Sequence, residues 1–416
     1  MTSVLGRLGV NPVINACGPV TRLGGGLMHP DVAAAMFEAS RVSMDMIALQ
    51  AAACRIIVRI TGAGAGIVTT GASAAILLGA AACLAGLDPG RMNGLPEVPD
   101  GRHEFIVVRS QRNMYDRALV VAGARLIEIG IPDRFSGPGV RDADAWEIED
   151  AIGPNTAGIY YLAQPQSLPA LPVVTSVAQR HDVPVLVDAA AQLPPAANLR
   201  NFLAQGASLV AFSGGKAIGG PQASGILCGR TDLVSSALLQ MLDLDLRPDA
   251  WSPPAEFAPL AQLRGLPHHG IGRSCKAGKE EIVGLLTALE RFVVEPPEAR
   301  RTRWTVVLRA IMDACGATDG LTLTLLDEPQ GDSVPMLRVE THHGGTAAAA
   351  VAAALESGTP SIQCQTARRE EGMLLFSPVA LGSEDGPVIG RRLREAAAAV
   401  IVRPASRLET TNRNTR

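Results

Sequence analysis

The feature that most constrains the fold of this chain is an alternation of short apolar runs with alanine-rich stretches between residues 56 and 230. The runs are rich in β-branched residues and predict strands, whereas intervening stretches such as residues 73–85 and 171–181 have a helical pattern. This order predicts a mostly parallel sheet with helices on both faces, which binds ligands beyond the carboxyl ends of its strands. The predicted strands are residues 66–69, 105–109, 125–129, 158–162, 184–188, 208–212 and 225–228.

Length and composition predict several domains built around an aliphatic core. The chain has 416 residues, of which 47% are hydrophobic, 19% charged and only 3% aromatic, so it is neither disordered nor limited to one small core. The predicted parts are an N-terminal arm and interface segment (1–50), a large domain (51–270), a connecting helix segment (271–297), a small α+β domain (298–403) and a flexible tail (404–416). We expect residues 91–102 to form an exposed loop and residues 248–267 to form an irregular connection.

The charged residues and cysteines indicate the surroundings of the chain. A net charge of -3 gives no reason to expect nucleic acid or an anionic membrane as a partner. The seven cysteines are scattered without a Cys-x-x-Cys pair and are expected to be buried thiols in a reducing compartment. No signal peptide and no apolar run long enough to span a bilayer is recognised. We therefore expect a cytoplasmic protein.

The first candidate for chemistry is Lys216, in the stretch SLVAFSGGKAIGGPQASGILCGR at residues 208–230. A predicted strand ends just before Ser213, and two glycines then precede the lysine. A lysine in a desolvated pocket has a lowered amine pKa and can form a Schiff base, and the glycines allow a ring and a phosphate to approach the backbone closely. The alternative is a surface lysine in a glycine-rich loop.

Asp188 is the second candidate and ends the apolar strand in VPVLVDAAAQLPP, followed by small residues including Ala190. It precedes Lys216 by 28 residues (216 − 188), which is room for one helix and one strand. Pyridoxal 5′-phosphate (PLP) needs a carboxylate against its pyridinium nitrogen, and small neighbours leave space for its flat ring. Taken alone, an aspartate at this position is equally typical of a helix N-cap.

Gly71, Ala72 and Ser73 form the third candidate, a turn of small residues between a predicted strand and an alanine-rich helix. The N-terminus of a helix offers unpaired N–H groups and a favourable dipole to a phosphate. No Gly-Lys-Ser/Thr sequence follows, so the turn is not a Walker loop. A plain capped helix is the alternative interpretation.

Phosphate turn, aspartate and lysine, in this order along one α/β chain, resemble the PLP-dependent family of bacterial selenocysteine synthase and the D-glucosaminate-6-phosphate ammonia-lyase-like proteins. The resemblance implies the aspartate-aminotransferase-like fold (PLP fold type I) and covers roughly residues 13–290. The stretches that carry it are VINACGPVTRLGG, AAAMFEAS, TTGASAAILLGAAACLAG, RNMYDRALVVAGARLIEIG, VPVLVDAAAQLPP, FSGGKAIGGPQASGILCGR and IGRSCKAGKEEIVGLLTALE.

The resemblance also implies roles for individual residues. Lys216 would form the Schiff base with PLP and move the α-proton, Asp188 would pair with the pyridine nitrogen beside Ala190, and Gln111 would face the ring. Gly71, Ala72, Ser73 and Ser213 would hold the phosphate. Residues 272–276 resemble the segment that such enzymes offer across a dimer interface to the partner's site. Arg273 and Lys276 there would bind an anionic group of the substrate or the cofactor phosphate, and Thr21 and Arg22 would line the substrate entrance.

Two departures from the family pattern concern the reaction rather than the cofactor. Gln111 stands where relatives usually have a histidine, and an amide cannot exchange protons near neutral pH. Gln365 stands where relatives tend to have an arginine, which Arg368 or Arg369 could replace. His342 and His343 lack a metal-ligand pattern, so no metal is expected. His268 or His269 could face the substrate or lie in an exposed loop.

The expected reaction is an α,β-elimination on an amino acid or amino-sugar acid, that is, an ammonia lyase working through Lys216 and an α-carbanion. Racemase or epimerase, aminotransferase and aldolase activities start from the same carbanion and are the alternatives. An alternative of another class is a catalytically silent binding protein with this fold. Selenium transfer to tRNA is not expected, because no basic nucleic-acid face is apparent. We expect a homodimer or a larger homo-oligomer with shared active sites.

Overall fold

A computed structural model describes residues 4–98, 101–131, 142–243, 251–327 and 333–401. The predicted tail at 404–416 and residues 248–250 of the predicted irregular connection lie outside these ranges. The described residues form two compact units, one comprising Met28–Glu295 and the other the residues up to Leu27 together with those from Pro296 onwards. Each unit has a hydrophobic core of its own.

The helices and strands are numbered along the whole chain. The helices are α1 (Val4–Leu8), α2 (Pro30–Ser40), α3 (Met46–Thr61), α4 (Ala72–Ala85), α5 (Pro89–Gly94), α6 (Arg117–Val121), α7 (Ala145–Ala151), α8 (Leu171–Arg180), α9 (Asn198–Ala204), α10 (Thr231–Met241), α11 (Lys279–Val294), α12 (Pro297–Cys315), α13 (Gly344–Glu356) and α14 (Asp385–Ile401). The strands are β1 (Val13–Ala16), β2 (Ala65–Thr69), β3 (Glu104–Val108), β4 (Arg125–Ile129), β5 (Thr156–Leu162), β6 (Val185–Asp188), β7 (Leu209–Ser213), β8 (Gly225–Gly229), β9 (Leu321–Leu326), β10 (Met336–Thr341), β11 (Ser361–Cys364) and β12 (Met373–Phe376).

The larger unit is built on a mostly parallel sheet, as the alternating sequence predicts. Among the described residues, seven strands pair in the order β2-β8-β7-β6-β5-β3-β4. β8 runs antiparallel to both of its neighbours, and the other pairs are parallel. The carboxyl ends of β2, β5, β6 and β7 therefore lie at one edge of the sheet, which is where ligands of such sheets bind. The predicted fold class is confirmed, and the predicted strands match the observed ones to within two residues at each end.

Successive residues of each central strand pack into separate cores on the two faces of the sheet. Tyr160 and Leu186 contribute to the core that includes α4 and α10, whereas Tyr161 and Val187 contribute to the core that includes α3, α8 and α11. Both faces are thus covered, so the strands are buried along almost their whole length. α4 is a nearly continuous apolar helix because it lies directly against the sheet.

The smaller unit is α+β. β12, β10 and β9 form an antiparallel sheet in that order, and β1 pairs in parallel with β11. Its core contains residues of α12, α13 and α14 together with buried residues of these strands. α12 begins at Pro297, where a proline suits the first turn of a helix.

Two loop predictions need correction. Residues 91–102 were expected to be an exposed loop, yet Pro89–Gly94 forms α5 and buries Met92. The helix forms because Asp88 caps it, accepting the N–H of Gly90 at 2.8 Å, and because proline follows at the first helical position. Within the predicted irregular connection, residues Ala255–Gln262 form 3-10 helical turns that bury Phe257.

In the described part of the chain, no helix has both the length and the apolar character needed to cross a bilayer. All seven cysteines are free thiols. Six of them are buried and Cys83 is half-buried.

Candidate active site

Three predicted site segments meet the same edge of the large sheet. Asp188 is the last residue of β6, Lys216 follows the end of the neighbouring strand β7 by three residues (216 − 213), and Gly71–Ser73 lies between β2 and α4. The register places Asp188 opposite Ala211 of β7 and opposite Leu162 of β5. Parallel pairing therefore gathers residues that are far apart in sequence.

Asp188 is a buried carboxylate, 4% exposed, with both oxygens engaged. Its Oδ1 accepts the backbone N–H of Ala190 at 3.0 Å, and its Oδ2 accepts the hydroxyl of Tyr160 at 2.9 Å. Burial raises the pKa of Asp188, while the hydrogen bonds from Ala190 and Tyr160 and the charge of Lys216 oppose that rise. The carboxylate is held in a fixed orientation, with its charge balanced by a nearby ammonium group.

Lys216 is partly buried in a tight loop that joins β7 to β8. Burial lowers the pKa of the Lys216 amine, and the charge of Asp188 opposes this change. The loop is tied by two backbone hydrogen bonds, from Gly214 to Ser224 and from Gly220 to Gly214, each 2.9 Å long. A Cβ at Gly214 would lie 2.2 Å from the Ser224 hydroxyl oxygen, so a glycine is required there for the loop to close.

The N-terminus of α4 lies beside the start of β8. Gly71 caps the helix with φ 151°, and no atom lies within 4 Å of the position that a Cβ on Gly71 would occupy. On its other side the helix start is tightly packed, since a Cβ at Gly225 would lie 2.4 Å from the carbonyl carbon of Gly71. Ser73 is exposed in the first turn. This turn provides N–H groups next to open space, the arrangement that binds a phosphate.

The residues of this edge fit PLP. The partly buried Lys216 amine matches the cofactor's aldehyde, the buried Asp188 carboxylate matches its pyridine nitrogen, and the open first turn of α4 matches its phosphate. Ser213 ends β7 opposite Gly225, between the lysine loop and this helix. An amine can react with the aldehyde, a carboxylate can pair with the protonated ring nitrogen, and backbone N–H groups can bind the phosphate.

Gln111 is buried, and its amide joins two backbone segments. Its Oε1 accepts the N–H of Leu162 and its Nε2 donates to the carbonyl of Leu168, both at 3.1 Å. This side chain fixes the loop after β3 against the end of β5. One amide thus provides both a donor and an acceptor. A neutral imidazole also provides one of each, but its tautomer decides which nitrogen donates.

Of the predicted substrate-binding residues, two lie next to β2. Residues Ile271–Cys275 form a 3-10 helical turn, and the carbonyl of Cys275 accepts the N–H of Thr70 at 3.0 Å. Lys276, which follows this turn, forms an isolated β-bridge with Thr69. Arg273 forms an ion pair with Asp243, whereas Lys276 is exposed.

The other two substrate-binding residues belong to the smaller unit, where both are exposed. Thr21 and Arg22 lie in a 3-10 turn, and the guanidinium of Arg22 donates to Gln363 at 3.0 Å and to the sulfur of Cys17 at 3.5 Å. Gln365 donates to the carbonyl of Cys17 at 2.8 Å, so its amide has a structural partner within the unit.

Arg368 and Arg369, the candidate substitutes for the family's arginine, each form an ion pair. Two of the histidines, His342 and His269, also have polar partners. Arg368 pairs with Glu371 and Arg369 with Glu370. His342 hydrogen-bonds the Thr322 hydroxyl at 2.7 Å. His269 lies 3.4 Å from Asp243, and His268 is exposed. Within the described ranges, no group of three or more His, Cys, Asp or Glu side chains could hold a metal.

Sequence reasoning missed Tyr160. It lies in an apolar run and has the pattern of a core strand residue, so nothing in the sequence indicated a role for its hydroxyl. Only the pairing of β5 with β6 reveals that Tyr160 and Asp188 share a face of the sheet.

The fold defines the class of this protein. A solved structure of D-glucosaminate-6-phosphate ammonia-lyase superposes with a TM-score of 0.77 and 26% identity, covering 96% of this chain and 100% of that one. This is the aspartate-aminotransferase-like fold type I of PLP-dependent enzymes, with PLP as the cofactor.

The family follows from the sequence comparison. The model of the SelA family, described as L-seryl-tRNA selenium transferase, matches residues 13–252, and the chain belongs to this family. The 5′-C-glycyluridine monooxygenase-decarboxylase of Streptomyces sp is 29% identical, over 94% of this chain and 90% of that protein. The D-glucosaminate-6-phosphate ammonia lyase of Salmonella typhimurium (strain 14028s / SGSC 2262) is 27% identical, over 94% of this chain and 97% of that protein. The relatives are named as enzymes, and the prediction of an enzyme is confirmed.

Proposed function

We propose that this chain is a PLP-dependent lyase that expels a β-substituent from an amino acid or an amino-sugar acid by α,β-elimination, after which hydrolysis of the enamine product releases ammonia. The observation that carries the proposal is that the partly buried Lys216 and the buried Asp188 lie at the carboxyl edge of the sheet, where the charge of each group opposes the pKa shift that burial imposes on the other. Its support from relatives is the full-length similarity to D-glucosaminate-6-phosphate ammonia lyase. For a β-hydroxy substrate the net products are a 2-keto acid and ammonia.

Lys216 is the proposed catalytic base. PLP, when bound, supplies an electron sink that stabilises negative charge at the α-carbon of the substrate. Burial lowers the pKa of the Lys216 amine, so a larger fraction of it is neutral and able to take the α-proton at Nζ. Gln111 cannot exchange protons, and its amide is bonded to the backbone at both ends. Lys216 therefore both removes and returns protons on its side of the site.

Asp188 and the phosphate turn are the proposed binding groups for the cofactor. Asp188 would hold a proton on the ring nitrogen, and Ala190 and Gln111 would contribute to the same site. The first turn of α4, with Gly71, Ala72 and Ser73, binds the phosphate through backbone N–H groups and the helix dipole. Ser213 adds a hydroxyl donor. These assignments are supported by the open space at Gly71 and by the burial of Asp188.

Thr21, Arg22, Arg273 and Lys276 are the proposed substrate-binding residues. Guanidinium and ammonium groups recognise carboxylate or phosphate groups of an acidic substrate. Arg22 is supported by its neutral hydrogen-bond partners, Gln363 and Cys17, which orient the guanidinium without neutralising its charge. Replacing Arg22 by alanine is expected to raise KM for an acidic substrate by about tenfold with little change in kcat.

The test is a screen of amino acids and amino-sugar acids, including phosphorylated ones, with the purified protein and added PLP. Release of ammonia and a 2-keto acid by the wild type, and its absence with Lys216→Ala, is the expected result. Racemisation, transamination with a keto acid acceptor, or retro-aldol cleavage without ammonia release would replace the lyase assignment by one of these reactions. Each product set is distinguished by chiral chromatography and mass spectrometry.

A second candidate is oxygen-dependent decarboxylation of an amino acid. It is favoured by the similarity over 94% of the chain to 5′-C-glycyluridine monooxygenase-decarboxylase, which is at least as great as that to the ammonia lyase. Oxygen consumption and release of carbon dioxide during the same screen would identify this reaction. An anaerobic repeat separates the two, because elimination needs no oxygen.

We also propose that the chain is a cytoplasmic homodimer or larger homo-oligomer, with residues 272–276 contributing to shared active sites. Light scattering coupled to size-exclusion chromatography measures the assembly directly. A monomer with full activity would refute the shared site.

A further inference from the structure

Tyr160 carries a buried hydroxyl group that has no role in the proposed mechanism. It pairs with Leu186 of β6, two residues before Asp188, so its side chain lies on the same face of the sheet as the carboxylate. It is 1% exposed, and its Oη donates to Oδ2 of Asp188 at 2.9 Å. A buried phenol at this position provides a hydrogen bond to a charged group in a medium of low dielectric constant, where such bonds are strong.

Asn113 acts on the same hydroxyl. Its Oδ1 accepts the backbone N–H of Tyr115 at 2.7 Å, so its Nδ2 is the group that remains to donate. Burial and the charge of Asp188 raise the pKa of Tyr160, and the amide of Asn113 opposes this rise. Asn113 therefore adds a polar group to the surroundings of the phenol, whose own hydrogen bond runs to Asp188.

The loop that carries Asn113 is itself anchored. The backbone N–H of Asn113 donates to Asp116 at 3.2 Å, and Arg112 pairs with both Asp116 and Glu128. Burial and the neighbouring charge of Asp188 raise the pKa of Tyr160, so the phenol keeps its proton and remains a donor. A permanent donor favours the ionised form of the carboxylate that accepts from it.

We infer that Tyr160 is a positioning residue that holds Asp188 ionised and aimed at the ring nitrogen of the cofactor. The inference rests on the proposed cofactor site but goes beyond it, since Tyr160 does not touch the reacting atoms. It separates two tasks on one carboxylate: the Ala190 N–H fixes Oδ1, and Tyr160 stabilises the charge through Oδ2. Tyr160→Phe removes the hydroxyl and keeps the ring, which isolates this task.

The test compares two cofactors, PLP and its analogue 1-deazapyridoxal 5′-phosphate, in which a C–H group replaces the ring nitrogen. Apoprotein is titrated with each, and binding is followed by the absorbance of the bound cofactor. We expect Tyr160→Phe to weaken PLP binding by about tenfold, the effect of one hydrogen bond to a charged group. Binding of the deaza analogue is expected to change by less than about twofold, because Asp188 has no ring proton to hold there.

Two further variants separate positioning from a general packing effect. Tyr161→Phe, on the opposite face of the sheet, is the matched control and is expected to bind both cofactors as the wild type does. In an Asp188→Asn background, Tyr160→Phe should add less than about a twofold loss, since the charge on which it acts is absent. Asn113→Ala, which leaves the core intact, should give a smaller loss with the same preference against PLP, of about threefold.

The outcomes are distinct. Equal losses for PLP and the deaza analogue in Tyr160→Phe or Asn113→Ala, or no loss for either, would overturn the positioning role. If Tyr160→Phe does not fold, as judged by circular dichroism, Asn113→Ala decides by the same comparison. A wild-type protein that binds neither cofactor would instead refute the proposed function, so the two failures can be told apart.

Discussion

Lys216 and Asp188, on adjacent strand ends, each oppose the pKa shift that burial imposes on the other. Burial lowers the pKa of the Lys216 amine and raises that of the Asp188 carboxyl, and the attraction between the charged forms acts in the opposite direction for both. Each charge therefore favours the ionised form of the other group, against the effect of burial. Opposing effects of this kind are common at sites whose groups exchange protons or form covalent bonds.

The pH dependence of Lys216 reactivity follows from this pair. A neutral amine reacts with aldehydes, so methylation of Lys216 by formaldehyde and a borohydride should reach half its maximal rate below pH 10.5, the ordinary pKa of lysine. Asp188→Asn removes the charge that raises the Lys216 pKa, so the profile should move to lower pH. Peptide mass spectrometry measures the rate at each pH in apoprotein.

The chain offers its own reference for that experiment. It contains three lysines, so the exposed Lys276 can be followed in the same digest. Asp188→Asn is expected to leave the Lys276 profile in place. A Lys216 profile that moves to higher pH in Asp188→Asn, or does not move, would refute the interaction between the two groups.

Ser73 tests the phosphate turn. Ser73→Asp places a negative charge in the first turn of α4, where it repels the phosphate of PLP but suits the helix dipole. We expect PLP to bind at least about tenfold more weakly, while pyridoxal, which has no phosphate, changes by less than about threefold. Equilibrium dialysis measures both. Ser73→Ala, which keeps the backbone N–H groups, is the control, and equal losses of both ligands in Ser73→Asp would argue against a phosphate site.

Gln111 is predicted to stabilise the fold. Gln111→Ala leaves the Leu162 N–H and the Leu168 carbonyl without their side-chain partner, and should lower the free energy of unfolding by about 1–3 kcal/mol. Urea denaturation with an unchanged m value is the measurement. Gln166→Ala, an exposed position in the same region, should change stability by less than about 0.5 kcal/mol. Equal stability of the two variants would show that the Gln111 bonds contribute nothing.

Gly225 tests the packing beneath the phosphate turn. Gly225→Ala brings a Cβ to 2.4 Å from the carbonyl carbon of Gly71, so β8 or the first turn of α4 must move. The expected results are a loss of about 1–3 kcal/mol in stability and weaker binding of PLP. Gly265→Ala, with no atom within 4 Å of the added Cβ, is the control and should behave as the wild type. A Gly225→Ala protein that binds PLP normally would show that the turn does not depend on this contact.

Much of the fold could be predicted because local patterns and the tertiary structure agree. The central strands β5 and β6 of the large sheet are buried on both faces, so they appear in the sequence as apolar runs that can be recognised without knowledge of their partner strands. Helix α5 was missed because a helix of six residues, of which Pro89 and Met92 are buried, is too short to show a helical periodicity. The domain boundaries and the roles of the site residues stay predictions.

The sequence by itself determined the class of fold, the cofactor and the candidates Lys216 and Asp188, because strand patterns and small residues around reactive groups are local properties of the chain. Tertiary structure alone decided which groups surround Asp188, since Tyr160 reaches it through the pairing of β5 with β6. It also decided that the side-chain amide of Gln111 is hydrogen-bonded to the backbone of Leu162 and Leu168. A carboxylate's pKa and orientation depend on burial and on hydrogen-bond donors brought from distant parts of the chain, and those exist only once the strands have paired.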